Sequence, residues 1–335
     1  MVAARGTAGR QRIVWPEGRR FAFSIFDDTD WTTLRNGPPV YDLLGDLGFR
    51  ITKSVWIDDP GPHPTTGGST CADPEYLDWV LSLQGQGHEI AFHNATDRSS
   101  ARAETAAALD RFEQLFGHPP RCGADHAANA EALYAGPARV SGALAAAYST
   151  AQRILQPERP RFSGQDETSR YFWGDLCRDR ICYWRRFSFA RTDLSAAGPL
   201  LHHDPLRPYV NAWFNSSHGP RREQFLERLS PSEIEGLAAR GGVCLMYTHL
   251  GLDFVDDLGR PHRDVVSALT RVAELGGWLA PVSDILDHVV RSQGIDVLDA
   301  RSRARMEWSW VADRVRHRAP IGPSVATHDR SLEPA

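Results

Sequence analysis

Phe21 to Asp28 reads Phe-Ala-Phe-Ser-Ile-Phe-Asp-Asp, an apolar run that stops on two adjacent carboxylates. A run of this length and aromatic content reads as a strand buried on both faces, the habit of parallel sheets covered by helices. Unpaired charge is costly inside a core, so Asp27 and Asp28 belong at the strand's C-terminal end, where it opens to solvent or a metal. Barrels and open α/β sheets place their chemistry at that end. Neighbouring strand residues point to opposite sides, so the two can divide tasks such as metal ligand and general base. Taken alone, the pair fits a turn or a helix cap equally well.

Further apolar runs alternate with helical patterns along the 335 residues, enough chain for one large α/β domain or two smaller ones. Strands are expected at 51–57, 88–93, 145–148, 209–214 and 243–247. Helices are expected at 40–47, from Asp73 to Gly85, from Ser99 and Ser100 to Phe116, and at 222–229, 232–240, 263–275 and 283–290. The stretch from Gln156 to Pro208 lacks clean periodicity and reads as an irregular insertion with short strands at 171–173 and 181–185. Its Trp- and Arg-rich part, Phe172 to Arg191, could stack on a sugar ring and offer charge to a phosphate or carboxylate. Three regions follow: an N-terminal extension (1–19), a barrel or sheet domain (20–293), and a C-terminal helix with a disordered tail (294–335).

A net charge of -4 leaves no electrostatic footprint for nucleic acid or an anionic membrane. No apolar stretch is long enough to span a bilayer, and residues 1–20 lack a secretory leader's apolar segment, so a cytoplasmic location is expected. The five cysteines are scattered without Cys-x-x-Cys spacing, which disfavours both a disulfide framework and a thiolate zinc site.

Two more segments carry ionisable residues at the ends of apolar runs. The first is Gly87-His88-Glu89-Ile90-Ala91-Phe92-His93-Asn94-Ala95-Thr96-Asp97. A helical turn after the strand would set His93 and Asp97 on one face, where imidazole and carboxylate suit a divalent ion. His88 alternates with Ile90 and Phe92 and reads as a structural histidine. The second is Val243-Cys244-Leu245-Met246-Tyr247-Thr248-His249, whose terminal histidine suits acid–base work near neutrality.

In order and spacing, Asp27-Asp28, Gly-His-Glu-Ile-x-x-His-x-x-x-Asp and Leu-Met-Tyr-Thr-His resemble the polysaccharide deacetylase family, also called NodB-homology or carbohydrate esterase family 4. The likeness runs from about Arg20 to Arg291. It implies a distorted (β/α)7 barrel with a metal-dependent amidohydrolase site at its mouth. It also implies Asp27 as catalytic base, Asp28 and His93 as metal ligands and His249 as catalytic acid. One divalent ion is implied, zinc first, with cobalt, nickel or manganese as alternatives. The family's second metal histidine falls here on Asp97. Its Arg-Pro-Pro-Tyr-Gly segment should fall near Arg121 to Asn129, which here reads Arg-Cys-Gly-Ala-Asp-His-Ala-Ala-Asn, so the arginine that orients the base is not at its place. Asp125 and His126 stand in that region as substitute ligands or substrate contacts, with His218 a further candidate for substrate contact. His202-His203-Asp204 reads as a surface loop.

The expected substrate is a small N-acyl amino sugar or related conjugate, deacetylated in the cytoplasm. Two alternatives stay open: a catalytically inactive barrel kept for binding, and a hydrolase of a cyclic imide, ureide or formamide.

Overall fold

The computed structural model describes residues 12–127, 129–155 and 161–317. Among the described residues there are ten strands and ten α-helices, and their order begins β1 (Ala22–Asp27), α1 (Gly37–Asp46), β2 (Thr52–Val55), α2 (Pro74–Gly85), β3 (Glu89–Phe92), α3 (Arg102–Phe116) and β4 (Cys122–Gly123). It continues with α4 (Gly142–Leu155), α5 (Gly174–Arg180), β5 (Tyr183–Phe189), β6 (Leu201–His203), β7 (Ala212–His218), α6 (Arg222–Arg228), α7 (Pro231–Arg240) and β8 (Val243–Thr248). Last come α8 (Arg263–Glu274), β9 (Trp278–Leu279), α9 (Val282–Gln293), β10 (Asp296–Val297) and α10 (Ala300–Arg316).

Seven strands pair in the circuit β1-β2-β3-β4-β5-β7-β8, and β8 returns to β1, every pairing parallel. This is the closed (β/α)7 barrel that the resemblance implies. Strands β6 and β10 extend the sheet beyond β7 as a flap, and β9 adds to the foot of β1.

Side-chain alternation sorts β1 into two environments. Phe21, Phe23 and Ile25 join a core with Val40 and Leu44 of α1, Tyr76 and Val80 of α2, and Val265 and Leu269 of α8, so they face the helices. Phe26 faces the lumen: its ring meets Phe214 of β7 at 5.9 Å, although β7 is not a neighbour of β1 in the circuit. A second core runs from Ala22, Phe26 and Ala91 outward to Ile285 and Leu286 of α9 and Met306 and Trp310 of α10. Loss of any large buried side chain from these layers costs about 2–5 kcal/mol.

At the foot of the barrel, Trp15 donates its indole N–H to Gly241 O at 3.0 Å and packs beside Trp278 and His288. Most expected elements stand within a few residues of their predicted bounds, with four departures. Residues 145–148 belong to α4 and not to a strand: Gly142 to Leu155 is Ala-rich and carries its apolar residues at helical spacing. Residues 171–173 form no strand, and Trp173 is buried against Trp184 instead of facing a ligand. Helix α3 starts past both serines, where Glu104 accepts from Ala101 N at 2.7 Å. His202 and Asp204 are fully buried, with Asp204 pairing Arg186, Arg207 and Arg303, so this segment is a structural hub and not a surface loop. Of the expected tail, residues 318–335 lie outside the described residues.

Candidate active site

The two carboxylates that end β1 face different worlds, as alternation requires. Asp27 follows Ile25 to the helix side. There it pairs with the fully buried Lys53 at 3.1 Å and accepts from Tyr41 Oη at 2.8 Å and from Leu250 N at 2.7 Å. Those partners occupy both oxygens, and Asp27 does not line the cavity at the barrel mouth. The expectation of Asp27 as base therefore meets a structural ion pair: a run of alternating residues can aim only one of two neighbours at the lumen.

Asp28 does enter the cavity. Arg185 of β5 reaches across the lumen to hold it bidentately, both contacts at 2.6 Å, while its guanidinium lies between the rings of Phe26 and Tyr247 at 4.9 and 4.1 Å. Two residues on, Asp30 points the same way and becomes the hub of the site. Its Oδ1 lies 3.0 Å from His126 Nε2, and its Oδ2 lies 3.0 Å from His249 Nε2 and 3.7 Å from His93 Nε2. Asp28, Asp30 and His249 are all buried and bring ligand atoms within 4.8 Å of one another, close enough to share a metal ion.

The tautomers of the three imidazoles follow from their second nitrogens. His93 Nδ1 meets Ala124 O at 3.0 Å, His249 Nδ1 meets Pro220 O at 2.9 Å, and His126 Nδ1 meets Asn129 Oδ1 at 3.0 Å. A carbonyl oxygen only accepts, so each Nδ1 carries a hydrogen and each Nε2 is left to face the carboxylates. The Asn129 amide is itself oriented, because its Nδ2 donates to Thr96 O and to Glu131 Oε1 at 2.9 and 2.8 Å. His93 Nε2 is buried without a hydrogen-bond partner, 3.9 Å from Asp28 and 3.7 Å from Asp30. An imidazole held by Nδ1–H with its Nε2 turned to carboxylates is the arrangement of a metal-binding histidine.

The charges within the cluster are interdependent. Burial opposes ionisation of Asp30, but His126 foremost, then His249 and His93, holds its carboxyl well below the usual range. Burial likewise disfavours the imidazolium of His126, yet Asp30 pushes that ring up to about 9. His249 rises for the same reason.

The remaining expected residues divide. Asp97 is buried, but its carboxylate accepts from the backbone amides of Thr65, Thr66 and Gly67 at 2.6, 3.0 and 2.7 Å. It is not placed as a ligand, because residues 93–101 hold bends at 95–98 and not the helical turn that would set it beside His93. Its loop instead supports the hub: Thr66 Oγ1 donates to Asp30 at 3.2 Å and Gly67 O accepts from Trp31 N at 2.8 Å. His126 stands in the cluster. Asp125 lines the same cavity; burial, only partly offset by hydrogen bonds from Trp184 Nε1 and Leu133 N, pushes its carboxyl up to about 6. His218 lines the far wall beside Ser188, and burial together with Arg314 and other cations holds it neutral. His88 is structural, accepting from Ile51 N at 3.2 Å.

Sequence reasoning passed over Asp30, Arg185 and Lys53. The signal for Asp30 was present in Asp28-Thr29-Asp30, since residues two apart on an extended chain share a side. For Arg185 the signal was compositional only: it lies in the Trp- and Arg-rich part 172–191, read there as charge offered to a ligand, whereas its partner is the chain's own Asp28.

No protein-family model matches the chain, and no curated protein is similar to it. Among solved structures, Puue allantoinase is similar over 86% of this chain and 96% of its own, at 13% identity and a TM-score of 0.49. A protein described as a probable polysaccharide deacetylase from Pseudomonas aeruginosa PAO1 is similar over 84% of this chain and 95% of its own, at 14% identity and a TM-score of 0.49. Both likenesses concern the course of the chain.

Proposed function

We propose that the protein is a divergent hydrolase of the polysaccharide-deacetylase type, which cleaves an amide-like C–N bond of a small N-acyl compound with the help of one divalent ion. The observation that carries this reading is the convergence of three Nδ1-anchored histidines on Asp30, with His93 Nε2 buried and unpartnered. Asp30, His93 and His126 would hold the ion, a nitrogen-rich set that suits zinc, with cobalt, nickel or manganese as alternatives; Asp28, Asp30 and His249, whose ligand atoms lie within 4.8 Å of one another, are the competing set, which loss of the ion in His249→Ala would favour. When bound, such an ion lowers the pKa of its water toward about 7 and polarises an acyl oxygen.

The chain's own groups supply the rest. Asp28, clamped by Arg185, takes the place expected of Asp27 as proton acceptor, and Arg185 takes over the orienting role that Arg121 does not fill, since Arg121 pairs instead with Asp284 and Asp287. His249 is lifted toward the charged form and oriented by Pro220 O, so it can hand a proton to a departing amine, a poor leaving group otherwise. Roles expected of Asp27 and Asp28 thus move one lumen-facing step along the chain, to Asp28 and Asp30.

A cavity of about 90 Å³ favours a small molecule, a cyclic ureide or formamide included, over a glycan chain. The test is metal content and hydrolysis measured together. Wild-type protein should carry one divalent ion and release amine from a panel of small N-acyl and ureide compounds. Asp30→Asn and His93→Ala should lose the ion, whereas His249→Ala should keep the ion and lose turnover. A wild-type protein that takes up no divalent ion from metal-replete medium overturns the metal site. An ion-loaded protein that turns over nothing in the panel favours the inactive barrel.

A further inference from the structure

Trp31 directly follows Asp30 and is half-buried in the lining of the cavity that Asp28, Asp30 and His249 share. Its backbone takes a φ of 58°, a left-handed conformation that bulky residues seldom adopt. The surroundings enforce it. Trp31 N donates to Gly67 O at 2.8 Å, and Asn36 Nδ2 donates to Trp31 O and to Gly251 O, both at 2.9 Å. Glycine makes room on either side: a Cβ at Gly68 would stand 3.1 Å from Trp31 N, and one at Gly251 would stand 2.7 Å from Trp31 C. Tryptophans that serve packing are held by their own polar group, as where Trp15 and Trp173 donate their indole N–H to backbone carbonyls. The indole N–H of Trp31 has no such partner among the described residues. Backbone strain imposed from outside clusters at active sites and ligand clamps. Here it delivers the indole to His249, with the rings at 81° and their centroids 5.2 Å apart.

We propose that Trp31 is a specificity-determining platform that receives a ring carried on the amine side of the scissile bond. The choice of the amine side rests on the hydrolase reading, in which His249 protonates the departing nitrogen; the platform for a ring does not. A nitrogen within hydrogen-bond reach of His249 Nε2 has its own substituent beside the indole. A ring meets an aromatic face over its whole area and gives up little conformational freedom, whereas an open chain must be ordered bond by bond. The favoured substrates are therefore N-acyl compounds whose nitrogen bears a ring, flat as in an aryl amine or puckered as in an amino sugar.

The experiment is calorimetric titration with three acetamides that share their acyl group and their carbon count on nitrogen: acetanilide with a flat ring, N-cyclohexylacetamide with a puckered ring, and N-hexylacetamide with an open chain. Wild-type protein should bind at least one ring probe about tenfold more tightly than the open chain. Trp31→Gly, which suits the left-handed backbone, should bind ring and chain alike, and Trp31→Phe should retain most of the preference. Which ring gains identifies the flat or the puckered class. Trp31→Asn, also at home in that conformation, provides the same reading if Trp31→Gly does not fold. Equal affinities in the wild type, or no binding of either ring probe, overturn the platform. So does a loss shared equally by all three probes in the Trp31 variants, the mark of a merely structural role. Amine release is followed separately from binding. Ring preference in a protein that releases no amine removes the hydrolase reading alone, and amine release from all three probes without ring preference removes the platform alone.

Discussion

Asp27 and Asp28 are neighbours on one strand, both buried, and they live by different rules. Asp27 is matched on the helix side by fixed partners, a lysine, a tyrosine and a backbone amide. Asp28 and its companion Asp30 are matched on the lumen side by Arg185 and by histidines, groups that also bind metals or exchange protons near neutral pH. The first arrangement is closed and mechanical; the second leaves His93 Nε2 without a partner and opens onto a cavity. Burial of an acid therefore says little about its task. What surrounds it decides.

The largest effect should come from treating the two neighbours alike. Asp28→Asn should lower turnover by about 10²–10⁴-fold, the usual worth of a positioned acid–base group. Asp27→Asn should act instead through stability and the placing of Leu250. Steady-state kinetics on both variants, with melting curves alongside, separate the two; equal loss of kcat with unchanged melting in Asp27→Asn would return the base to Asp27.

Next comes Lys53→Met, which strands Asp27 as an uncompensated buried charge and should cost about 3–5 kcal/mol in chemical denaturation. Metal content of the folded fraction should stay at the wild-type level. A smaller effect is expected at the supporting loop. Asp97→Ala removes three backbone contacts beneath Thr66 and Gly67, so metal affinity should fall by about 10–100-fold, as for other residues that hold a ligand in place, while some ion still binds. Complete loss of the ion would make Asp97 a ligand after all.

The smallest effect concerns acid. Burial opposes ionisation of Asp204, but Arg186, Arg207 and Arg303 bring its carboxyl down to about 2. A depressed carboxyl contributes stability that is present above its ordinary value of about 3.9 and is lost as pH falls through the folded value. Stability of the wild type should therefore decline between about pH 4 and 2. Asp204→Asn should start lower at neutral pH and decline less over that interval, as read from urea midpoints.

Much of this was legible in the sequence. Apolar runs ending in Asp28, Phe92-His93 and Thr248-His249 mark three strand exits, and all three deliver a side chain to the same cavity. The element order gave a barrel-like alternation because strands buried on both faces leave a distinct apolar signature. What was not legible depended on the path of the chain between elements. A helical period would pair Asp97 with His93, and the bends at 95–98 break that period. Asp30 lies beyond the strand, in a turn where Trp31 takes a φ of 58°, a conformation no pattern announces. Arg185 needed the register of β5, which runs from Tyr183 to Phe189 where a strand at 181–185 was expected.

The bond from Leu250 N to Asp27 Oδ1 joins positions 223 residues apart. It spans the seam where the first barrel strand meets the last. A growing or refolding chain therefore has to complete β8 before the ring can shut, and contacts of such separation slow the folding of a domain. Asp27 then works as the clasp of the ring, and the chemical cavity exists only once that clasp has closed.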